Sequence, residues 1–166
     1  DRFGVTHHLN FYEDEHIGQI VKRSAGLLKT SIDDAAIDIL ATRSRRTPRI
    51  ANRLLRRVRD FAEVRGNGHV SGSVCDEALQ KLTVDHMGLD QTDRRILTTI
   101  IEKFGGGPVG LSTIAAATQE EIQTIEDVHE PFLLQIGFLE RTPRGRIVTP
   151  RAYSHLKRDI PTQRLI

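Results

Sequence analysis

Residues 43–65 read RSRRTPRIANRLLRRVRDFAEVR, nine arginines against two acids, Asp60 and Glu63. Thr47 followed by Pro48 has the chemistry of a helix start. A threonine oxygen accepts from a free backbone N–H of the first turn, and proline in the first helical position lacks an N–H that would have no helical partner anyway. A helix is therefore predicted from Pro48, with Ile50, Leu54, Val58 and Phe61 on one face and Arg49, Arg53, Arg56 and Arg57 outside it. Arg56 and Asp60, one turn apart, form a predicted ion pair that leaves the other arginines uncompensated. A planar guanidinium offers two parallel hydrogen bonds to phosphate oxygens, and Arg49 stands in the first turn, where free N–H groups face the same anion. Phosphate binding at Arg49 is the expectation. For Arg53, Arg56, Arg57 and Arg59 a solvated basic face is the favoured reading, since one phosphate group does not occupy so many side chains.

Upstream of this helix, Ser31 is read as a cap with Asp34 at capping-box distance, and Ala35, Ile37, Leu40 and Ala41 form the inner face of another helix. Before it, Glu13-Asp14-Glu15 put acids in the first turn of a helix whose apolar positions are Ile17, Ile20, Val21, Ala25 and Leu28. Residues 1–10, DRFGVTHHLN, read as the end of a preceding element. His7 and His8 are adjacent and point in different directions, with no third ligand at metal-binding spacing, so a metal site is not expected there. Downstream, Gly66-Asn67-Gly68 turns the chain and Ser71 caps a shorter helix with Val74, Ala78, Leu79 and Leu82 inward. The four helices are expected to share one small core. Little periodicity remains in residues 84–92, VDHMGLDQT, and the boundary between two small domains is placed there.

The second domain opens with Thr92-Asp93 and a helix through Ile96, Leu97, Ile100, Ile101 and Phe104. Gly105-Gly106-Gly107-Pro108 ends it. No Lys-Ser/Thr pair follows these glycines, so the stretch fails as a phosphate-cradling Walker A loop. A short helix is predicted over residues 111–117. Thr118 and Glu121 have capping-box spacing for a third helix, with Ile122, Ile125, Val128, Phe132 and Leu133 on its inner side. Two short β-prone runs, residues 138–141 and 146–149, are joined by Thr142-Pro143-Arg144-Gly145 into a hairpin. Tyr153, His155 and Leu156 belong to a final short helix. Three helices and a hairpin in this order make a winged helix, a helix-turn-helix variant that usually meets nucleic acid.

The 166 residues are 38% hydrophobic and 28% charged. No run approaches the roughly 20 apolar residues of a membrane span, and no signal-peptide pattern opens the chain. A single cysteine, Cys75, excludes an internal disulfide and a cysteine-rich zinc site, and a reducing, cytoplasmic setting is expected. No methionine opens the chain, which is read as a fragment. The formal net charge of +2 conceals a segregation: +7 over residues 43–65, −7 over residues 85–140 (three basic, ten acidic), and +6 over residues 141–164 (seven basic, one acidic). Two basic islands around an acidic block imply two separate polyanion contacts.

Four runs carry a resemblance. DRFG at residues 1–4, RRTPRIANRLLRRVRD at 45–60, GGPVGL at 106–111 and RTPRGR at 141–146 stand in the order found in the C-terminal half of the RuvB family. The chain resembles these bacterial AAA+ motors of Holliday junction branch migration over essentially its whole length. The resemblance implies a mainly α fold: residues 1–12 close the large ATPase domain, residues 13–84 are a four-helix AAA+ lid, and residues 85–166 are a winged-helix head with a small β-hairpin. It implies part of an ATP-driven, homo-hexameric DNA motor of recombination and repair, with Mg2+ bound by the large domain. The implied partners are double-stranded DNA at Holliday junctions, RuvA and the RuvC resolvase. Without Walker A and B, these residues are not expected to hydrolyse ATP alone.

By the same resemblance Arg2 matches the arginine finger, catalytic on a neighbouring subunit's ATP. Tyr12 matches a residue beside the adenine. Arg49 matches the sensor-2 arginine on the nucleotide phosphates, the position that the helix-start argument picks. Arg141, Arg144 and Arg146 match the DNA-contacting wing. The family usually has glycine ahead of the TPR motif where this chain has Arg46, a departure that bears on the local turn. Charge sharpens the expectation for DNA: the third helix carries Glu120, Glu121, Glu126, Asp127 and Glu130 without a lysine or arginine, so phosphates would repel it. Contact is expected through the wing, mostly to phosphates. The competing class is a non-enzymatic winged-helix DNA-binding or assembly module. A GxxxxGKS/T motif and an acidic Walker B strand upstream of Asp1 would separate the motor from it.

Overall fold

The computed structural model describes residue 4, residues 11–65 and residues 67–160. The chain divides into two compact units between Leu89 and Asp90. Among the described residues it is mainly helical, with one small two-stranded sheet. No helix among the described residues is long and apolar enough to cross a membrane.

The first unit holds α1 (Asp14–Leu27), α2 (Asp34–Arg43), α3 (Pro48–Arg65) and α4 (Gly72–Lys81). Their apolar stripes meet in one core of Ile17, Val21, Leu40, Leu55, Val58 and Leu79, all fully buried. Truncating one of these leucines to alanine removes its contacts and leaves a cavity, a loss of roughly 2–5 kcal/mol. Helix α3 starts at Pro48 as predicted, but its buried line runs through Ala51, Leu54, Leu55, Val58 and Ala62. Ile50 and Phe61, expected on the inner face, are only partly buried at its flank. The alanines lack bulk beyond Cβ and admit neighbouring helices, which rotates the contact line toward them.

The cap of α2 is Asp33 rather than Ser31. The Asp33 carboxylate accepts from the Ala36 N–H at 2.9 Å and from the Gly72 N–H at 3.3 Å, serving the starts of α2 and α4 together. Ser31 instead shares a hydrogen bond with His69 Nδ1 at 2.8 Å, next to a parallel bridge between Ile32 and Val70. Ser71 caps α4 as predicted, accepting from the Val74 N–H at 3.3 Å.

The second unit runs α5 (Gln91–Phe104), α6 (Leu111–Thr118), α7 (Ile122–Thr124), a π-helical turn (Ile125–His129), α8 (Glu130–Gln135), β1 (Leu139–Thr142), β2 (Gly145–Val148) and α9 (Pro150–His155). Helix α5 begins at Gln91, one residue before Thr92, because Asp90 and Asp93 form a reciprocal capping box. Thr118 does not cap the third helix. It ends α6, its hydroxyl donating to the Ile114 carbonyl at 2.8 Å, and Gln119 leaves in the left-handed conformation. In the third helix Ile122 and Val128, expected inside, are 48% and 52% exposed. The π turn adds a residue to one turn and shifts the inward register, so that His129 and Glu130 are buried with Ile125, Phe132 and Leu133.

Strands β1 and β2 pair antiparallel from Leu139↔Val148 to Thr142↔Gly145. Val109, after α5, joins their edge by exchanging backbone hydrogen bonds with Arg146 at 3.0 and 2.8 Å. That approach requires Gly145: its φ is 135°, and a Cβ there would stand 2.4 Å from the Val109 carbonyl oxygen. The β-hairpin is thus seated on the chain that follows the triple glycine.

Candidate functional site

The turn entering α3 is held by its own polar groups. Ser44 is fully buried, its hydroxyl donating to the Ala41 carbonyl at 2.8 Å, and the Thr47 N–H donates to the Ser44 carbonyl at 3.1 Å. The Thr47 hydroxyl, expected to accept from the first turn of α3, donates to the Arg45 carbonyl at 3.0 Å. Arg45 and Arg46 both adopt positive φ, 55° and 52°. A side chain in that conformation costs roughly 1–2 kcal/mol, which is why glycine is at home in this turn. Arg46 offsets part of that cost by pairing through Nε with Asp14 of α1 at 3.5 Å.

From this turn Arg49 projects, exposed, in the first turn of an 18-residue helix. Below it, Arg53, Arg56 and Arg57 are also exposed, and the four arginines border a shallow depression of about 680 Å³. Among the described residues none of these four has an ion-pair partner. The predicted Arg56–Asp60 pair is not formed. Asp60 is taken by its neighbour Arg59, at 3.1 Å from Nε and 2.6 Å from Nη2, and Glu63 lies 3.7 Å from the same guanidinium. The Asp60 hydrogen bond raises the Arg59 pKa, partly opposed by desolvation. Arg59 therefore belongs to the internal salt of α3, whereas the other four present uncompensated charge.

Tyr12 and Phe11 precede α1 with 48% and 54% exposure. Tyr12 borders a separate depression of about 440 Å³ whose other walls are His16, Gln19, Ile20 and Arg23. An exposed ring beside an open, largely apolar hollow suits the face of a flat heterocycle. The Arg46–Asp14 pair joins the turn before Arg49 to the first residue of α1, two residues beyond Tyr12. Arg2, His7 and His8 lie outside the described residues.

In the second unit the arginines of the hairpin divide. Arg141 and Arg144 are exposed, Arg144 on the two-residue tip, where the Thr142 hydroxyl donates to the Gly145 carbonyl at 2.8 Å. Arg146, matched to the same DNA-contacting set by sequence, is turned inward. Its Nε and Nη2 donate to the two carboxylate oxygens of Glu130, each at 2.9 Å, and this occupation removes it from the solvent-facing charges. Of the acids on the third helix, Glu120 is paired with Arg95 of α5 and Glu130 with Arg146. Glu121, Glu126 and Asp127 remain exposed, so the outer side of this helix is still negative.

A buried polar cluster lies at the root of the same helix. His129 Nδ1 is 2.7 Å from one oxygen of Asp93, whose other oxygen accepts from the Asp90 N–H at 2.9 Å, while Asp90 accepts from the Asp93 N–H at 2.9 Å. Asp90, Asp93 and His129 stand close enough together to invite a metal. Their atoms are engaged in capping α5 and fastening it to the π turn, a structural arrangement. Sequence reasoning missed His129 and Glu130 as interior groups, since an acid on a helix surface and one under a wing have the same letter.

Four helices carrying an uncompensated arginine at the start of the third, followed by three helices and a hairpin, define an AAA+ lid joined to a winged-helix domain. Residues 12–85 match the RuvB AAA lid domain and residues 86–157 the RuvB C-terminal winged helix domain. The chain belongs to the RuvB family. It is 62% identical over 156 residues to Holliday junction branch migration complex subunit RuvB 2 of Synechococcus sp. (strain JA-3-3Ab), covering 94% of this chain and 42% of that protein. With Holliday junction branch migration complex subunit RuvB of Pediococcus pentosaceus the identity is 56%, covering 94% and 46%. The solved Thermotoga maritima RuvB Holliday junction branch migration motor superposes with a TM-score of 0.93 at 49% identity, covering 96% of this chain and 54% of that one. The chain spans about half the length of these relatives.

Proposed function

We propose that this chain is the lid and DNA-gripping head of an ATP-driven motor that moves Holliday junctions. Residues 13–84 serve as the lid, residues 85–166 as the head, and residues 1–12 as the end of the large ATPase domain. The observation that carries the reading is Arg49, which combines an uncompensated guanidinium with the first turn of α3. The motion would be driven by hydrolysis of ATP, its terminal phosphoryl group passing to water as ADP leaves, and Mg2+ would be held by the large domain. Arg49 binds its phosphates in cis, and Tyr12 lies beside its base. Arg2 reaches the phosphates of the neighbouring subunit's nucleotide and stabilises the charge that develops there, as an arginine supplied in trans does. Arg141 and Arg144 hold the DNA backbone, and Arg146 holds the wing. Phosphate contacts without base readout suit a motor that crosses any sequence.

The protein so read works as a homo-hexamer in the cytoplasm with RuvA and RuvC in recombination and repair. The test is Arg49→Ala in the full-length protein. Weakened ATP binding or slowed hydrolysis is expected, with stability changed by no more than about 0.5 kcal/mol because the side chain is exposed. Normal turnover in that variant would remove the assignment.

A further inference from the structure

The turn that presents Arg49 is bonded to the segment that leaves the first unit. Arg45, only 9% exposed, donates from Nε to the Gly88 carbonyl at 3.1 Å. Gly88 lies against the backbone of Arg43: its φ is 85°, and a Cβ there would stand 2.8 Å from the Arg43 carbonyl oxygen. The segment is also closed on itself. Asp85 Oδ1 accepts from the Met87 and Leu89 N–H groups, each at 2.9 Å, and the Asp85 N–H donates to the Leu89 carbonyl at 3.0 Å. Leu89 is fully buried and is followed directly by Asp90, the cap of α5 and first residue of the second unit. Behind the turn, Arg43 is anchored to Asp76 of α4 at 2.6 Å.

We propose that Arg45 is a positioning residue for the motor. It ties the Arg49 turn to Gly88, so that a shift of the α3 start is delivered to the segment that leaves the first unit. The inference rests on the nucleotide reading of Arg49 above. Three residues separate Arg45 from Arg49, and the Thr47 bonds to Ser44 and Arg45 brace the interval. A displacement at the α3 start therefore moves Arg45 with it. A guanidinium N–H is a charge-assisted donor, stronger than a neutral one, and it acts on a five-residue segment too tightly bonded to absorb the motion internally.

The test uses the full-length protein and compares wild type with Arg45→Ala. ATP turnover is expected to stay within about twofold, while junction migration per ATP hydrolysed falls by roughly fivefold or more, the lower end of coupling between two sites. An unchanged ratio, or an equal loss of turnover and migration, would overturn the proposal. A second measurement stands even if Arg45→Ala does not fold: amide hydrogen exchange of Met87, Gly88 and Leu89 in the wild type. Protection there is expected to differ between the ATP-analogue and ADP states, and identical protection in both overturns the coupling. The two readings fail separately. Normal ATP turnover in Arg49→Ala removes the nucleotide assignment, whereas impaired Arg49→Ala with normally coupled Arg45→Ala removes only the link through Arg45.

Discussion

Arg146 of β2 grips Glu130 of α8 with two parallel 2.9 Å hydrogen bonds, and only 12% and 3% of the two side chains remain exposed. The pair fastens the hairpin to the third helix directly after the π turn. A buried charge left without its partner is costly, roughly 3–5 kcal/mol. Arg146→Ala is thus expected to lower the thermal unfolding temperature of the second unit sharply. Replacing both partners with apolar side chains, Glu130→Leu with Arg146→Met, should recover most of the loss. If the double variant melts with or below the single one, the pair is not what secures the wing.

Arg144 is exposed beside Pro143 at the tip and is expected to act through phosphate. Arg144→Ala should weaken binding about equally on unrelated DNA sequences and flatten the dependence of log affinity on log salt by about one unit. The comparison is Glu121→Gln with Glu126→Gln, which discharges the outer side of the third helix. Strong sequence preference, or loss of binding only in the glutamine pair, would show that the acidic helix is the reader.

Arg2 is expected to act across a subunit boundary. Arg2→Ala subunits should bind ATP and hydrolyse it slowly, with a deficit of roughly 10³–10⁵ on the scale of arginine fingers. Mixing them with subunits defective only in their Walker residues should restore part of the turnover at mixed interfaces. Absence of any recovery in rings shown to be mixed would argue against action in trans.

Cys75 provides a probe of the first unit's core. Burial pushes its thiol from 9.0 up to about 12. The unfolded chain then loses this proton near pH 9 while the folded chain keeps it, so unfolding releases a proton between the two values. The contribution to stability is fully present below about pH 9 and declines above it by up to about 1.4 kcal/mol per pH unit. Denaturant midpoints between pH 8 and 10.5 should fall more steeply for wild type than for Cys75→Ala. Equal slopes would mean that the thiol titrates normally.

The helices and their order were legible from apolar spacing, Pro48 and the Ser71 cap, because those signals lie within one or two turns of the residues they control. Arg49 was legible for the same reason: Pro48 sets the helix start, and the start sets which arginine occupies the first turn. Other features depended on distant chain. Asp33 displaced Ser31 as cap because its second oxygen is used by Gly72, 39 residues away. Arg146 turned inward to Glu130, 16 residues before it, and counting charges by sign does not register burial. The π turn defeated the reading of Ile122 and Val128, since a period of 3.6 residues contains no term for one wider turn. Asp60 went to Arg59 rather than Arg56 for a local reason, the shorter reach to an adjacent side chain.

The seating of Gly145 against Val109 has a consequence for how the hairpin tolerates change. The contact is made by main-chain atoms, which every residue type shares, apart from Gly145 and Gly107, where a side chain has no room: a Cβ on Gly107 would stand 2.3 Å from the Arg146 carbonyl oxygen. Pro143 and Arg144 at the tip take no part in it. Tips from related proteins can therefore be grafted between Thr142 and Gly145 without re-aiming the wing. The tip is free to diversify by substitution, while the angle at which it is offered is inherited with two glycines.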